Sequence, residues 1–259
     1  MQVKPGSAVS WHLLCAWALA ACGRDRPAAA GAAVDLTVAA ASSLRELLEQ
    51  TAAAYQAAHP GTTLGFSFDA SSALARQIES GAAFDAFLSA DAENVERVRG
   101  SLQAGSIQPF LSNTLVMVAR SGLADAVTSP GQLKGVKGKI ALAAPAVPAG
   151  RYARAYLTKA QLLAELEPRF VNADNVRAAL ALVESGAADY AFVYATDARV
   201  ARDARQVWQA PPEDDPGIVY VAAAVRGRHA EAAGKYVAWL NSPAFQQAAA
   251  ALGFLPPRS

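Results

Sequence analysis

Three features of this 259-residue chain predict an α/β fold of doubly wound sheets. Between residues 35 and 88, short apolar runs alternate with amphipathic helical segments across short loops, the pattern of parallel β-α-β units. A second block, residues 139–197, repeats that alternation. The length suffices for one large domain or for two lobes, each with a core.

The first strand is the buried run 35–41. Ser42 and Ser43 follow, then a helix with Leu44, Leu47, Leu48, Tyr55 and Ala58 on one face. Ser43 and Glu46 have the spacing of a capping box, and His59-Pro60-Gly61 ends the helix. Residues 63–68 form the second strand, with Phe66 and Phe68 alternating with smaller residues. Ser71 and Ser72 are good N-caps for a helix to Ser80, where Leu74 and Ile78 lie one turn apart and Gly81 closes it. Residues 84–88 are a third strand, with helix from Ala92.

Residues 115–119 read as a strand leaving the first lobe. Residues 139–144 form a strand stopped by Pro145, and Pro148-Ala149-Gly150 opens a helix through Tyr152 and Tyr156. Asp174 or Asn175 caps the next helix, whose apolar face is Val176, Ala179, Leu180 and Val183 and whose stop is Gly186. Residues 190–194 are a strand, with Thr196-Asp197 at a helix start. Residues 211–216 are an acidic, proline-rich loop, 218–225 a returning strand, and 231–240 and 243–252 two closing helices. The sequence shows no internal repeat.

The beginning of the chain is not part of this fold. Leu13 to Ala21 is apolar but too short for a permanent membrane span. It ends in Leu19-Ala20-Ala21-Cys22, which looks like a bacterial lipobox and implies a signal peptide (1–21), cleavage before Cys22 and lipid on its sulfur. The alternative is an ordinary secretory signal cut at a small residue. Residues 22–33 suit a flexible tether. Both cysteines, Cys15 and Cys22, lie in this leader, so the folded part has no disulfide and no thiol chemistry. A net charge of +1 gives no reason to expect a nucleic-acid partner.

Catalytic signatures are missing. His59 precedes a proline and His229 sits near a helix start, both better read as solvated side chains than as members of a Ser-His-Asp catalyst. No Cys/His cluster has zinc spacing, and no glycine-rich loop has a nucleotide fingerprint. Asp85, Asp91, Glu93 and Asp197 are scattered at helix starts, where caps and solvated faces explain them.

What remains is a set of neutral donors at chain reversals. Ser43 and Ser71 follow strands and open helices; Ala149 and Val176 lie in first turns, where N–H groups have no helical acceptor; Tyr194 closes a strand. Taken singly these are two caps, a loop, a helix turn and a core tyrosine. In doubly wound sheets, however, the C-terminal strand ends share one edge, and two facing lobes would bring all five to one cleft. Helix starts favour anions.

The segments Ala-Ala-Ala-Ser-Ser-Leu (39–44), Ala-Ser-Ser-Ala-Leu-Ala-Arg-Gln-Ile (70–78), Ala-Phe-Leu-Ser-Ala-Asp (86–91), Val-Pro-Ala-Gly-Arg-Tyr-Ala (147–153), Asp-Asn-Val-Arg-Ala-Ala-Leu-Ala-Leu-Val-Glu (174–184) and Val-Tyr-Ala-Thr-Asp-Ala (193–198) occur in order. With them the chain resembles the periplasmic molybdate-binding proteins of ABC importers, from about Leu36 to Phe254. The resemblance implies a two-lobed type II periplasmic-binding fold with mixed sheets joined by two crossing strands. Lobe one would be 34–112 with 221–259, and lobe two 113–220. By motif, the anion would be held by Ser43, Ser71, Ala149, Val176 and Tyr194.

The implied function is extracytoplasmic binding of molybdate or tungstate and delivery to the membrane subunits of an ABC permease. The implied protein is a monomeric non-enzyme without a cofactor or a direct metal ligand, on the membrane only through its lipid. A receptor for another tetrahedral oxyanion such as sulfate, or a secreted hydrolase, are the alternatives. Two positions depart from the family pattern: Asp69 stands where a small neutral residue is expected and should point away from an anion, and Phe84 replaces a proline.

Overall fold

The computed structural model describes residues 1–2, 33–123 and 127–257. The expected signal peptide and tether, with Cys22, lie outside them apart from Met1, Gln2 and Ala33. In chain order the first elements are β1 (Val34–Ala41), α1 (Arg45–Ala58), β2 (Thr62–Asp69), α2 (Ser71–Glu79), β3 (Ala86–Ser89), α3 (Ala92–Arg97) and β4 (Gln108–Ser112). Then come β5 (Leu115–Arg120), β6 (Ile140–Ala143), α4 (Pro148–Lys159), α5 (Leu163–Leu166), β7 (Phe170–Ala173), α6 (Val176–Glu184), β8 (Tyr190–Tyr194), α7 (Ala195–Val200) and β9 (Ala204–Gln209). The chain closes with β10 (Val219–Ala224), α8 (Ala230–Trp239) and α9 (Pro243–Ala251).

The strands make two five-stranded sheets, ordered β2-β1-β3-β10-β4 and β7-β6-β8-β5-β9. In the first, β1 runs parallel to β2 and β3, and β10 runs antiparallel to β3 and β4. In the second, β6 runs parallel to β7 and β8, and β5 runs antiparallel to β8 and β9. The two sheets thus share one topology although the sequence shows no repeat. The chain passes between them twice, from Ser112 to Leu115 and from Gln209 to Val219. These crossings lie side by side: Ser112 Oγ donates to the Ile218 carbonyl at 2.7 Å, and the Ala210 N–H donates to the Leu115 carbonyl at 2.9 Å.

Central strands are buried on both faces, as parallel strands covered by helices should be. Ala86–Ser89, Ile140–Ala143 and Tyr190–Tyr194 are buried throughout. Under α2 and α3, Leu74, Ile78, Phe87, Val95 and Val98 form a smaller cluster, against which the half-buried Phe84 packs. Each large aliphatic side chain buried there contributes roughly 1.5–3 kcal/mol.

Several local expectations are corrected. Ser42–Leu44 is a single 3₁₀ turn, and Leu44 rather than Ser43 precedes α1, with no side-chain cap. α2 begins at Ser71 itself, and its cap position is Ala70. Both serine hydroxyls are diverted to tertiary partners, which outcompete the local cap. The third strand begins at Ala86 rather than Phe84. The histidines are half-buried rather than simply solvated: His59 stacks on Tyr55 with ring centroids 4.1 Å apart, and His229 pairs with Asp85.

Candidate functional site

The C-terminal ends of six parallel strands, three from each sheet, converge on one small cavity. Ser43, Ser71, Ala149, Val176 and Tyr194 all line it, as does Asp69. None of the lining residues is a lysine or an arginine.

Four of the five groups arrive there with a donor to spare. Ser71 Oγ accepts from the Ala90 N–H at 2.9 Å, so its own proton remains available. Ser43 Oγ lies 3.0 Å from Tyr220 Oη. Ala149 is the second residue of α4 and Val176 the first of α6, positions whose N–H groups have no helical acceptor. Asn175 caps α6 by accepting from the Ala178 N–H at 3.0 Å, which fixes the direction of the helix start.

Gly150 sets the approach of α4. A Cβ there would lie 2.2 Å from the Ala143 carbonyl oxygen and 2.3 Å from that of Ala144. Only glycine lets the helix start press against the end of β6 this closely.

Tyr194 ends β8 fully buried, and its hydroxyl has no protein hydrogen-bond partner. Burial holds this phenol well above its ordinary pKa, so it faces the cavity as a donor. Buried hydroxyls are normally satisfied, and an orphan at a cavity wall asks for an acceptor from outside the chain.

The charges around the cavity are paired across the two sheets. Arg177 on α6 reaches Glu46 on α1 at 2.5 Å and Asp197 at 2.6 Å, the latter an ion pair without hydrogen-bond alignment. Arg151 on α4 bonds Asp91 and, at 2.7 Å, Glu93 at the start of α3. Asn175 Nδ2 donates to Asp69 Oδ1 at 3.3 Å, and the Ala70 N–H donates to the same oxygen at 2.7 Å. Asp69 therefore does not turn away from the cavity; it lines it and ties β2 to the cap of α6. Burial pushes the Asp197 carboxyl up to about 6 against the opposing pull of Arg177, while the Tyr194 N–H donates to its other oxygen at 3.2 Å.

A larger depression lies elsewhere on the first sheet, lined by Asp35, Thr37, Asp85, Arg226, Arg228 and His229. Its polar groups satisfy one another. His229 Nδ1 faces Asp85 at 3.2 Å, Arg228 Nε donates to His229 Nε2 at 3.1 Å, and the Thr37 N–H donates to Asp85. Both ring nitrogens are engaged, which leaves no base for a serine. Among the described residues, no group of three or more His, Cys, Asp or Glu side chains could hold a metal ion.

The cross-sheet ion pairs and the Tyr220–Ser43 contact escaped the sequence reading. Their partners lie between 58 and 177 residues apart, and no local pattern joins Arg151 to Glu93, or Ser43 to Tyr220.

The sequence profile of bacterial extracellular solute-binding proteins matches residues 36–255. The molybdate-binding protein ModA of Haemophilus influenzae is 33% identical over 230 residues, covering 86% of this chain and 91% of that protein. A putative ABC transporter substrate-binding lipoprotein of Bacillus subtilis, YvgL, is 32% identical, covering 81% of this chain and 82% of its own length. Among solved structures, a periplasmic molybdate-binding protein of Azotobacter vinelandii superposes with a TM-score of 0.76 at 28% identity, covering 86% of this chain and all of that one.

Proposed function

Because the chain belongs to the bacterial extracellular solute-binding protein family, a non-enzymatic family, and is ModA-like, we propose that it captures molybdate or tungstate in the cavity between its sheets and delivers it to an ABC permease. The observation that carries this reading is the orphaned Tyr194 hydroxyl, set opposite two serine hydroxyls and two free helix-start amides. All five groups donate, so each takes an acceptor from the ligand and none takes a proton from it.

Such a site suits an oxyanion without a proton. A hydrogen phosphate would press its O–H against a donor and leave both unsatisfied, at a cost of about 1–3 kcal/mol. Sulfate is equally proton-free and is separated by size. Neutral dipoles at the starts of α2, α4 and α6 stabilise the charge without a buried cation.

The first sheet with the C-terminal helices would form one lobe and the second sheet the other, with β10 in the first from Val219 onward. The ion pairs of Arg151 and Arg177 then close the cleft over the anion. The leader exports the chain, and lipid on Cys22 holds it at the membrane on the periplasmic side. The Leu19-Ala20-Ala21-Cys22 motif and the lipoprotein description of the Bacillus relative support that anchor.

Calorimetric titration with molybdate, tungstate, sulfate and phosphate tests the reading. Molybdate and tungstate should bind at micromolar concentration or tighter and phosphate not at all. Phosphate bound as tightly as molybdate, or no oxyanion bound, overturns it.

A further inference from the structure

Behind Ser43 runs a chain of buried hydrogen bonds that begins at the first crossing between the sheets. The Thr114 N–H donates to Asn113 Oδ1 at 2.9 Å. A backbone N–H is always a donor, so this contact fixes which end of the Asn113 amide is oxygen and leaves Nδ2 facing the other way. Nδ2 donates to Thr196 Oγ1 at 2.8 Å and to Tyr220 Oη at 3.3 Å. Tyr220 Oη in turn lies 3.0 Å from Ser43 Oγ. Asn113 and Tyr220 are completely buried and Ser43 is 3% exposed, so every proton in the chain has to find its acceptor within it or in the cavity.

Counting protons gives the chain a direction. Asn113 can only donate to Tyr220, whose hydroxyl carries one proton. If Ser43 also donated to Tyr220, the phenolic proton would be buried without an acceptor. If Tyr220 donates to Ser43, the phenolic proton has its acceptor and the Ser43 proton is left with the cavity as its outlet. We propose that Tyr220, oriented by Asn113, is a positioning residue that makes Ser43 an obligate donor to the bound anion, so that the site refuses oxyanions carrying a proton. Burial raises the Tyr220 phenol far above its ordinary pKa, which keeps its proton in place at any working pH. Ser71 reaches the same state more simply, because its oxygen is taken by the Ala90 N–H. Ser43 has a neighbour that could act either way, and Asn113 decides for it.

This inference rests on the anion-site reading above, and its test separates the two. Molybdate and inorganic phosphate are titrated into the wild type, Tyr220→Phe, Ser43→Ala and the double variant near neutral pH, with ligand-free melting as a check on folding. Without the phenolic proton, Ser43 can turn its lone pairs to the cavity. Tyr220→Phe should then weaken molybdate about threefold to tenfold and narrow the molybdate-to-phosphate ratio, and it should cost nothing further once Ser43 is alanine. Loss of molybdate affinity on Ser43→Ala, with Tyr220→Phe leaving the ratio unchanged, overturns the positioning role while the site stands. Losses that simply add in the double variant overturn it equally. A wild type that binds no molybdate, or a Ser43→Ala protein that binds it undiminished, instead overturns the site reading. If Tyr220→Phe does not fold, Asn113→Asp keeps both hydroxyls and puts an acceptor where Nδ2 stood, so that Tyr220 can donate to it and accept from Ser43. That variant should narrow the same ratio, and an unchanged ratio overturns the proposal.

Discussion

Tyr194→Phe separates a ligand-binding tyrosine from a core one, because the two roles predict opposite signs in two measurements. The ring is buried and packs edge-on against Tyr220, with centroids 6.1 Å apart, and phenylalanine keeps that packing. The hydroxyl has no protein partner to lose. Removing it should leave the ligand-free protein as stable as before or slightly more so, since an unsatisfied buried donor costs up to about 1–3 kcal/mol. In the complex, the same hydroxyl would donate to an anion, a bond worth about 1.5–3 kcal/mol, so affinity should fall about 10- to 150-fold. At saturating molybdate the ligand-induced rise in melting temperature should shrink by about 3–12 °C, taking about 2–4 °C per kcal/mol for a chain of this size. Calorimetry gives the affinities, and melting with and without molybdate gives the stabilities. Unchanged affinity together with a ligand-free protein destabilised by more than about 1.5 kcal/mol would refute the reasoning and return Tyr194 to the core.

Four other perturbations have defined outcomes. Asp69→Asn keeps an acceptor for the Ala70 N–H but removes a negative charge from the cavity wall, so molybdate should bind about tenfold more tightly; weaker binding in calorimetry contradicts the repulsion argument. Gly150→Ala forces the start of α4 away from the Ala143 carbonyl and should cost at least about tenfold in affinity through the displaced Ala149 amide, checked by titration beside a circular-dichroism control. The Asp197 carboxyl, raised from 3.8 to about 6, binds more protons in the folded state, so its contribution to stability is lost as pH rises through 6. The wild type should therefore lose stability relative to Asp197→Asn between about pH 4 and about pH 7, and denaturant melts showing the reverse slope would exclude this assignment. Cys22→Ala should abolish palmitate labelling and release the protein from membranes; labelling absent from the wild type would leave only an ordinary signal peptide.

The central strands and the helices between them were legible because both carry strong apolar periodicity, as in the run Tyr190–Tyr194 and the face of Val176, Ala179, Leu180 and Val183. The strands that were not read, β4, β7 and β9, are all sheet edges. β4 contains Pro109, β7 has only four residues, and β9 carries Arg205, Gln206 and Gln209 among its six. Edge strands bury less and tolerate proline and charge, so they lose the pattern that marks a strand. The positions later found around the cavity were legible for a similar reason: each stands where a strand gives way to a helix. What surrounds them was not. Ser43 and Ser71 have the composition of caps, and only the distant Tyr220 and Ala90 show that their hydroxyls are used otherwise. Glu46 completes a capping box on paper and an ion pair with Arg177 in space.

The two neighbouring crossings have a mechanical consequence. A single connecting segment would let one sheet swivel, twist and slide against the other. Here Ser112 is stitched to Ile218 and Ala210 to Leu115, which couples the segments into a ribbon. A ribbon bends readily about the one line lying across its width and is stiff to torsion and to shear. Such a ribbon restricts relative motion of the sheets from six rigid-body freedoms toward one.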